Sequence, residues 1–143
     1  MDALPASTPY ETAACITQAA ERYTLPKLAL YAIAAKEAGF AGLRRKNSNG
    51  TYDMGRMQIN TANLKELRPF GITEELLLTD ECTNVQVGAW KLARYLSTEK
   101  GDWWRAIARY NVGSLNTEAR ARIGTKYASD VIGYWTYLYQ QQN

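Results

Sequence analysis

Histidine is missing from this 143-residue chain, and its absence removes whole classes of chemistry. A Ser-His-Asp triad, a Cys-His dyad and a histidine-ligated zinc site are all excluded. Cysteine occurs only twice, as Cys15 and Cys82, too few for an all-cysteine structural zinc site. There is no glycine-rich phosphate loop. No apolar run approaches the roughly 20 residues that a membrane-spanning helix needs. Charge of one sign is also scarce, because 17 basic and 14 acidic residues leave a net charge of +3. That excess suits an anionic surface and falls short of a nucleic-acid footprint. The basic residues are scattered, with Arg44-Arg45-Lys46 the only run; it reads as a solvated loop. Neither a metal nor a cofactor is expected, so acid-base work falls to carboxylates, tyrosines and lysines.

What is present reads as one helical domain over residues 1–143. Apolar residues make up 46% of the chain and no segment is low in complexity, which argues against disorder. Thr8-Pro9-Tyr10-Glu11 has the form of a capping box with proline at the first helical position, and predicts a helix to about Tyr23. A second helix is predicted from near Pro26 to Gly39, a typical C-terminal glycine, with Glu37 in its last turn. Asn47-Ser48-Asn49-Gly50 is a strong turn signal, and short strands beside it would form a small β-hairpin. Thr61 and Thr73 are candidate caps of short helices. Val85, Ala89, Leu92 and Leu96 mark the buried face of a helix that starts near Asp80. Another follows Gly101-Asp102 to about Asn111, and a last one runs from roughly Lys126 to Gln141. Tyr127, Tyr134, Trp135, Tyr137 and Tyr139 near the end read mainly as helix core, with a sugar-stacking surface for some of them as the alternative. The fold class is therefore mainly α (α+β), with helices around one small hairpin.

Two readings stand for the cysteines. They are either buried small hydrophobes or one disulfide between the first helix and a later one. Neither has a neighbouring base or CxxC spacing, so redox catalysis does not fit.

Three stretches carry candidate chemistry: Lys36-Glu37-Ala38-Gly39-Phe40, then Asp53-Met54-Gly55-Arg56-Met57-Gln58-Ile59-Asn60, then Arg109-Tyr110-Asn111. Each alone has an ordinary structural explanation. Glu37 has independent physical support as an acid. A helix C-terminus disfavours negative charge, and Ala38, Gly39 and Phe40 offer it little polarity.

The order of these stretches, Glu-x-Gly-Phe, Gly-x-Met-Gln-Ile-Asn and Tyr-Asn, resembles the lytic transglycosylase domain of the lysozyme superfamily. The resemblance runs from Cys15 to about Trp135 and is strongest to the small enzymes that accompany secretion, conjugation and pilus machines. It implies a lysozyme-like fold acting on peptidoglycan glycan strands. It also implies a catalytic role for Glu37, sugar-cleft roles for Met57, Gln58 and Asn60, and places beside the carboxyl for Tyr110 and Asn111. Such a substrate lies outside the cytoplasm. An oxidising, periplasmic location follows and favours the disulfide. Met1 to Ser7 lack a basic start and an apolar stretch, so either the chain is not exported by a signal-peptide route or it is a mature form with a new initiator Met; the implied substrate favours the second. The sequence departs from the family pattern at Ala38, where serine is frequent, at Arg56, where leucine is common, and at Arg109, where a small residue is usual. The first of these leaves open how the substrate's N-acetyl group is oriented.

Asp53 leaves two enzyme readings. Glu37 followed by Asn49-Gly50 and Asp53 also resembles the two-carboxylate arrangement of c-type lysozymes. A hydrolytic muramidase using Glu37 and Asp53 is thus the alternative to a transglycosylase. A glycan-binding component without activity is the non-enzymatic one.

Overall fold

The structure is a computed structural model that describes residues 8–142; the N-terminal reading of Met1 to Ser7 lies outside them. Among the described residues seven α-helices and three strands form. Helices α1 (Tyr10–Tyr23) and α2 (Lys27–Glu37) precede strands β1 (Arg44–Lys46), β2 (Tyr52–Met54) and β3 (Ile59–Asn60). Helices α3 (Leu64–Leu67), α4 (Glu74–Thr79), α5 (Glu81–Thr98), α6 (Trp103–Val112) and α7 (Glu118–Gln142) complete the chain. α1 packs on α5, α5 on α6, α6 on α7, and α7 closes against α2. Buried apolar side chains from α1, α2, the sheet, α5, α6 and α7 form one connected cluster.

The helix ends show how local chemistry sets the frame. Thr73, Asp80 and Asp102 each accept a hydrogen bond from a backbone N–H in the first turn of the helix they precede. The capping box predicted at Thr8 does not form. Pro9 itself stands at the cap with no side-chain bond, and the helix begins at Tyr10. Asn60, rather than Thr61, caps the short turn before α3, accepting from the N–H of Ala62.

α2 stops one residue before the glycine expected to end it. Ala38 takes the left-handed cap at φ 53°, a conformation few non-glycine residues adopt. Gly39 serves a different purpose, since a Cβ there would lie 2.1 Å from the carbonyl oxygen of Gly55. The end of α2 therefore presses directly on the backbone after β2.

The predicted hairpin is present but larger, an antiparallel sheet in the order β1-β2-β3. Arg44-Arg45-Lys46, read as a loop, is its exposed first strand. The third strand was not foreseen, because two residues are too short to show any alternation. α7 starts well before Lys126, and its aromatic residues are not mainly core. Tyr127 is buried, yet Tyr134, Tyr137 and Tyr139 are exposed. Trp135 is partly buried and stacks edge-on against Trp103 at 5.0 Å.

Cys15 and Cys82 form a disulfide that ties α1 to the first turn of α5 across a sequence separation of 67 residues. In a chain-entropy picture, closing so long a loop stabilises the fold by roughly 4 kcal/mol. Native, unreduced protein is expected to show no reactive thiol. The double variant Cys15→Ala, Cys82→Ala is expected to lose about that much stability in urea unfolding. Two titratable thiols in native protein would contradict the assignment.

Candidate active site

Glu37 is the last helical residue of α2 and is only half-buried. The hydroxyl of Tyr127, 90 positions away on α7, donates a hydrogen bond to its Oε2. Its backbone carbonyl accepts from the Arg45 guanidinium at 3.2 Å, which fixes the helix end to β1. Burial raises the proton affinity of the Glu37 carboxyl, and the negative charge of Asp53 adds to this. The Tyr127 hydrogen bond and the charges of Lys91 and Lys36 pull the other way. The net direction is upward, as a general acid at neutral pH requires.

Asp53 projects from the middle of β2, where it pairs with Arg45 on one side and Asn60 on the other. Its Oδ1 accepts from Asn60 Nδ2 at 2.9 Å, and the same amide nitrogen donates to Thr51 Oγ1 at 3.0 Å. Asn60 thus orients the second carboxylate in addition to capping the next turn.

The turn from Gly55 to Gln58 joins β2 to β3 and forms the site's base. Gly55 takes φ 72° where a Cβ would meet the Asn84 amide at 2.3 Å, so no side chain fits. Gln58 is also in the left-handed region, at φ 52°. Its Nε2 donates to the Gly55 carbonyl at 2.9 Å, and the side chain is 6% exposed. The Met57 side chain is fully buried against α5 at Gly88. Two residues expected to line a sugar cleft therefore have their side chains turned inward, because the tight turn must be filled and hydrogen-bonded from within. Tyr110 is likewise buried, and its hydroxyl donates to the Met57 carbonyl at 2.8 Å. Asn111, the next residue of α6, is exposed.

Asn84 holds this turn from the opposite side. Its Oδ1 accepts from the Met57 N–H at 2.8 Å, and its Nδ2 donates to the carbonyls of Met54 and Leu77, each at 2.9 Å. Lys91 stands two turns further along the same face of α5. Its ammonium lies over the Tyr110 ring, 4.5 Å from the centroid. Burial lowers its pKa to about 8, against the opposing pull of Glu37 and Asp53.

Two of the three departures from the family pattern have structural accounts. Arg56 donates to Glu81 Oε1 at 2.7 Å, the Gly39 carbonyl at 3.1 Å and Thr12 Oγ1 at 3.3 Å, clamping α5, the end of α2 and α1 together. Arg109 donates to Glu99 Oε2 and to the Gly113 carbonyl, each at 2.9 Å, which closes the C-terminal end of α6. Ala38 is exposed at the αL cap, and nothing in the structure explains its replacement of serine.

The structure thus gathers Glu37, Asp53, Asn60 and Tyr110 from three separate motifs. Sequence reasoning missed the roles of Tyr127, Asn84 and Lys91. Tyr127 carried no local signal, since its partner lies 90 positions earlier. Asn84 and Lys91 lie outside the three motifs, beside the apolar stripe of α5.

Fold and site together define a lysozyme-like enzyme architecture built around one glutamate at a helix end. The chain belongs to the transglycosylase SLT domain family, whose model matches residues 14–131; by family it is a lytic transglycosylase. It is 39% identical to protein IpgF of Shigella flexneri over 125 residues, covering 87% of this chain and 79% of that protein. It is 36% identical to the invasion protein IagB of Salmonella typhimurium over 118 residues, covering 82% and 72%. It is 34% identical to an X polypeptide of Escherichia coli over 134 residues, covering 90% and 76%. Among solved structures, an inactive mutant of the lytic transglycosylase Slt from Pseudomonas aeruginosa superposes with a TM-score of 0.68 at 22% identity. That match covers 91% of this chain and only 24% of the larger one, so it speaks for the fold.

Removing the Tyr127 hydroxyl takes away a bond that favours ionised Glu37. In Tyr127→Phe the Glu37 carboxyl is expected to titrate at higher pH than in wild type, followed by its carboxyl carbon resonance. The loss of one hydrogen bond should also cost about 1 kcal/mol of stability. An unchanged titration midpoint would contradict the role given to Tyr127.

Proposed function

We propose that this chain is a single-domain, exported enzyme that cleaves the β-1,4 bond between N-acetylmuramic acid and N-acetylglucosamine, leaving a 1,6-anhydro end. The observation that carries the reading is the half-buried Glu37 carboxyl, raised in proton affinity and hydrogen-bonded by Tyr127 at the end of α2. Glu37 gives its proton to the leaving oxygen as the glycosidic C1–O bond breaks. Positive charge then develops on the muramyl sugar. The Glu37 carboxylate next takes the proton of that sugar's own 6-hydroxyl, whose oxygen bonds to C1. The proton returns to Glu37, and no water is consumed. Because the nucleophile is carried on the reacting sugar, the second step is intramolecular and needs no positioned water.

Asp53 contributes negative charge facing the developing cation, in the orientation that Asn60 gives it. Asn60 and Asn111 are the polar groups proposed to meet the glycan, while the inward-turned Gln58 holds the turn from within. Met57 and Tyr110 act from beneath, shaping the turn that carries Gln58. No helix of the described residues is long and apolar enough to cross a membrane. The proposed place of action is the periplasm, where the enzyme would open peptidoglycan locally for a secretion, conjugation or pilus machine, a role that fits its likeness to the invasion protein IagB.

Glu37→Gln is expected to abolish clearance of a peptidoglycan suspension while the thermal transition is kept. Near-wild-type clearance by the folded variant would sink the reading. Asp53→Asn is expected to slow the reaction on the order of a hundredfold to a thousandfold, the usual cost of losing one preorganised electrostatic contact. Mass spectrometry should find 1,6-anhydro ends from both wild type and Asp53→Asn. Reducing ends from the wild type would instead establish the muramidase that uses Asp53 with water.

A further inference from the structure

Lys91 is a buried charge that the mechanism above leaves unused. It sits in the middle of α5 on the face that carries Asn84 and Gly88, and it is 7% exposed. Its ammonium has no hydrogen bond or ion pair among the described residues and rests on the Tyr110 ring face at 4.5 Å. Burying an ammonium with only a ring for a partner opposes folding, because the ring returns a small part of the lost hydration. The groups that act on it are Glu37 from α2, Asp53 from β2, Tyr110 from α6 and Arg94 from α5. Tyr127 on α7 acts on Glu37 directly. Both carboxylates favour charged Lys91, while burial and Arg94 oppose it. In return, Lys91 favours ionised Glu37, which burial and Asp53 oppose.

We propose that Lys91 is a positioning residue of this site: its ammonium, buried on the Tyr110 ring, is the internal counter-charge to Glu37 and Asp53. The inference rests on the reading of Glu37 as the catalytic acid. It adds a third charge to the two carboxylates and gives the buried Tyr110 a second role, as the surface on which that charge is placed. Coupling of this kind is mutual, so each group must report the other's presence by the same free energy.

Measurement from both ends tests it. In the kinetic arm, kcat/KM on purified peptidoglycan is followed against pH for wild type, Lys91→Met and Lys91→Arg. Activity that needs protonated Glu37 falls as pH rises through its titration. Without the cation Glu37 keeps its proton to higher pH, so the alkaline limb moves upward in Lys91→Met. Lys91→Arg keeps the charge and should return the limb toward the wild-type position. An unmoved limb in folded Lys91→Met overturns the proposal. The second arm needs neither a variant at position 91 nor any activity. Lysine side-chain NMR compares wild type with Glu37→Gln, and the Tyr110 ring current marks Lys91 by displacing its Hε resonances upfield. In the wild type Lys91 should titrate near its lowered pKa of about 8, and in Glu37→Gln at lower pH still. Equal midpoints in the two proteins overturn the proposal. Absence of all lytic activity would defeat the functional reading alone, and the NMR comparison would still decide the coupling.

Discussion

The side chain of Asn84 is the constraint on which the site depends. It is 1% exposed, yet each of its three hydrogen bonds goes to a backbone group of a different segment. Two of these groups, on Met54 and Met57, flank Gly55, and the third, the Leu77 carbonyl, lies within α4. A buried polar group costs little when fully paired and a great deal when not. Asn84 therefore specifies one arrangement of β2, the turn and α4 around α5, and most alternatives leave it unpaired. Gly39 and Gly55 complete the constraint by letting backbones approach where no Cβ fits. The position of Glu37 relative to Asp53 follows from this contact between the end of α2 and the turn after β2.

Within that frame the electrostatics are balanced rather than maximised. Burial raises Glu37's proton affinity, and the negative charge of Asp53 adds to it. Tyr127 and Lys91 act in the opposite sense, one by a hydrogen bond and one by charge. In the reaction proposed for it, Glu37 is proton donor and then base within one turnover, and an affinity held between two opposing sets of groups serves both steps. Tyr110 stabilises this arrangement without touching Glu37 by a hydrogen bond, since its hydroxyl is committed to Met57.

The sequence made some of this legible for clear physical reasons. Apolar spacing located α5, and Asp80 and Asp102 announced the starts of α5 and α6 because capping is a local interaction. The motif order pointed to Glu37 and Asp53. What escaped notice depends on contacts between distant segments. Gly39 looked like a helix stop, whereas its lack of a side chain is needed by a backbone sixteen residues on. The exposed tyrosines of α7 looked like core, because an aromatic stripe carries no mark of whether another helix will cover it. Tyr127 differs from them only in facing α2, which no local pattern records.

α5 presents Asn84, Gly88 and Lys91 along one side, while Cys82 on the other side anchors the rod to α1. One residue of slippage would turn that side by about 100°. The turn after β2, the close approach to Met57 and the buried ammonium all take their places from the same azimuth. Substitutions there must be strongly epistatic, because a change that suits one neighbour displaces the other two. Substitutions are expected to be tolerated more readily on the exposed positions of α7. The inner side of α5 can only be inherited, or replaced, as a block.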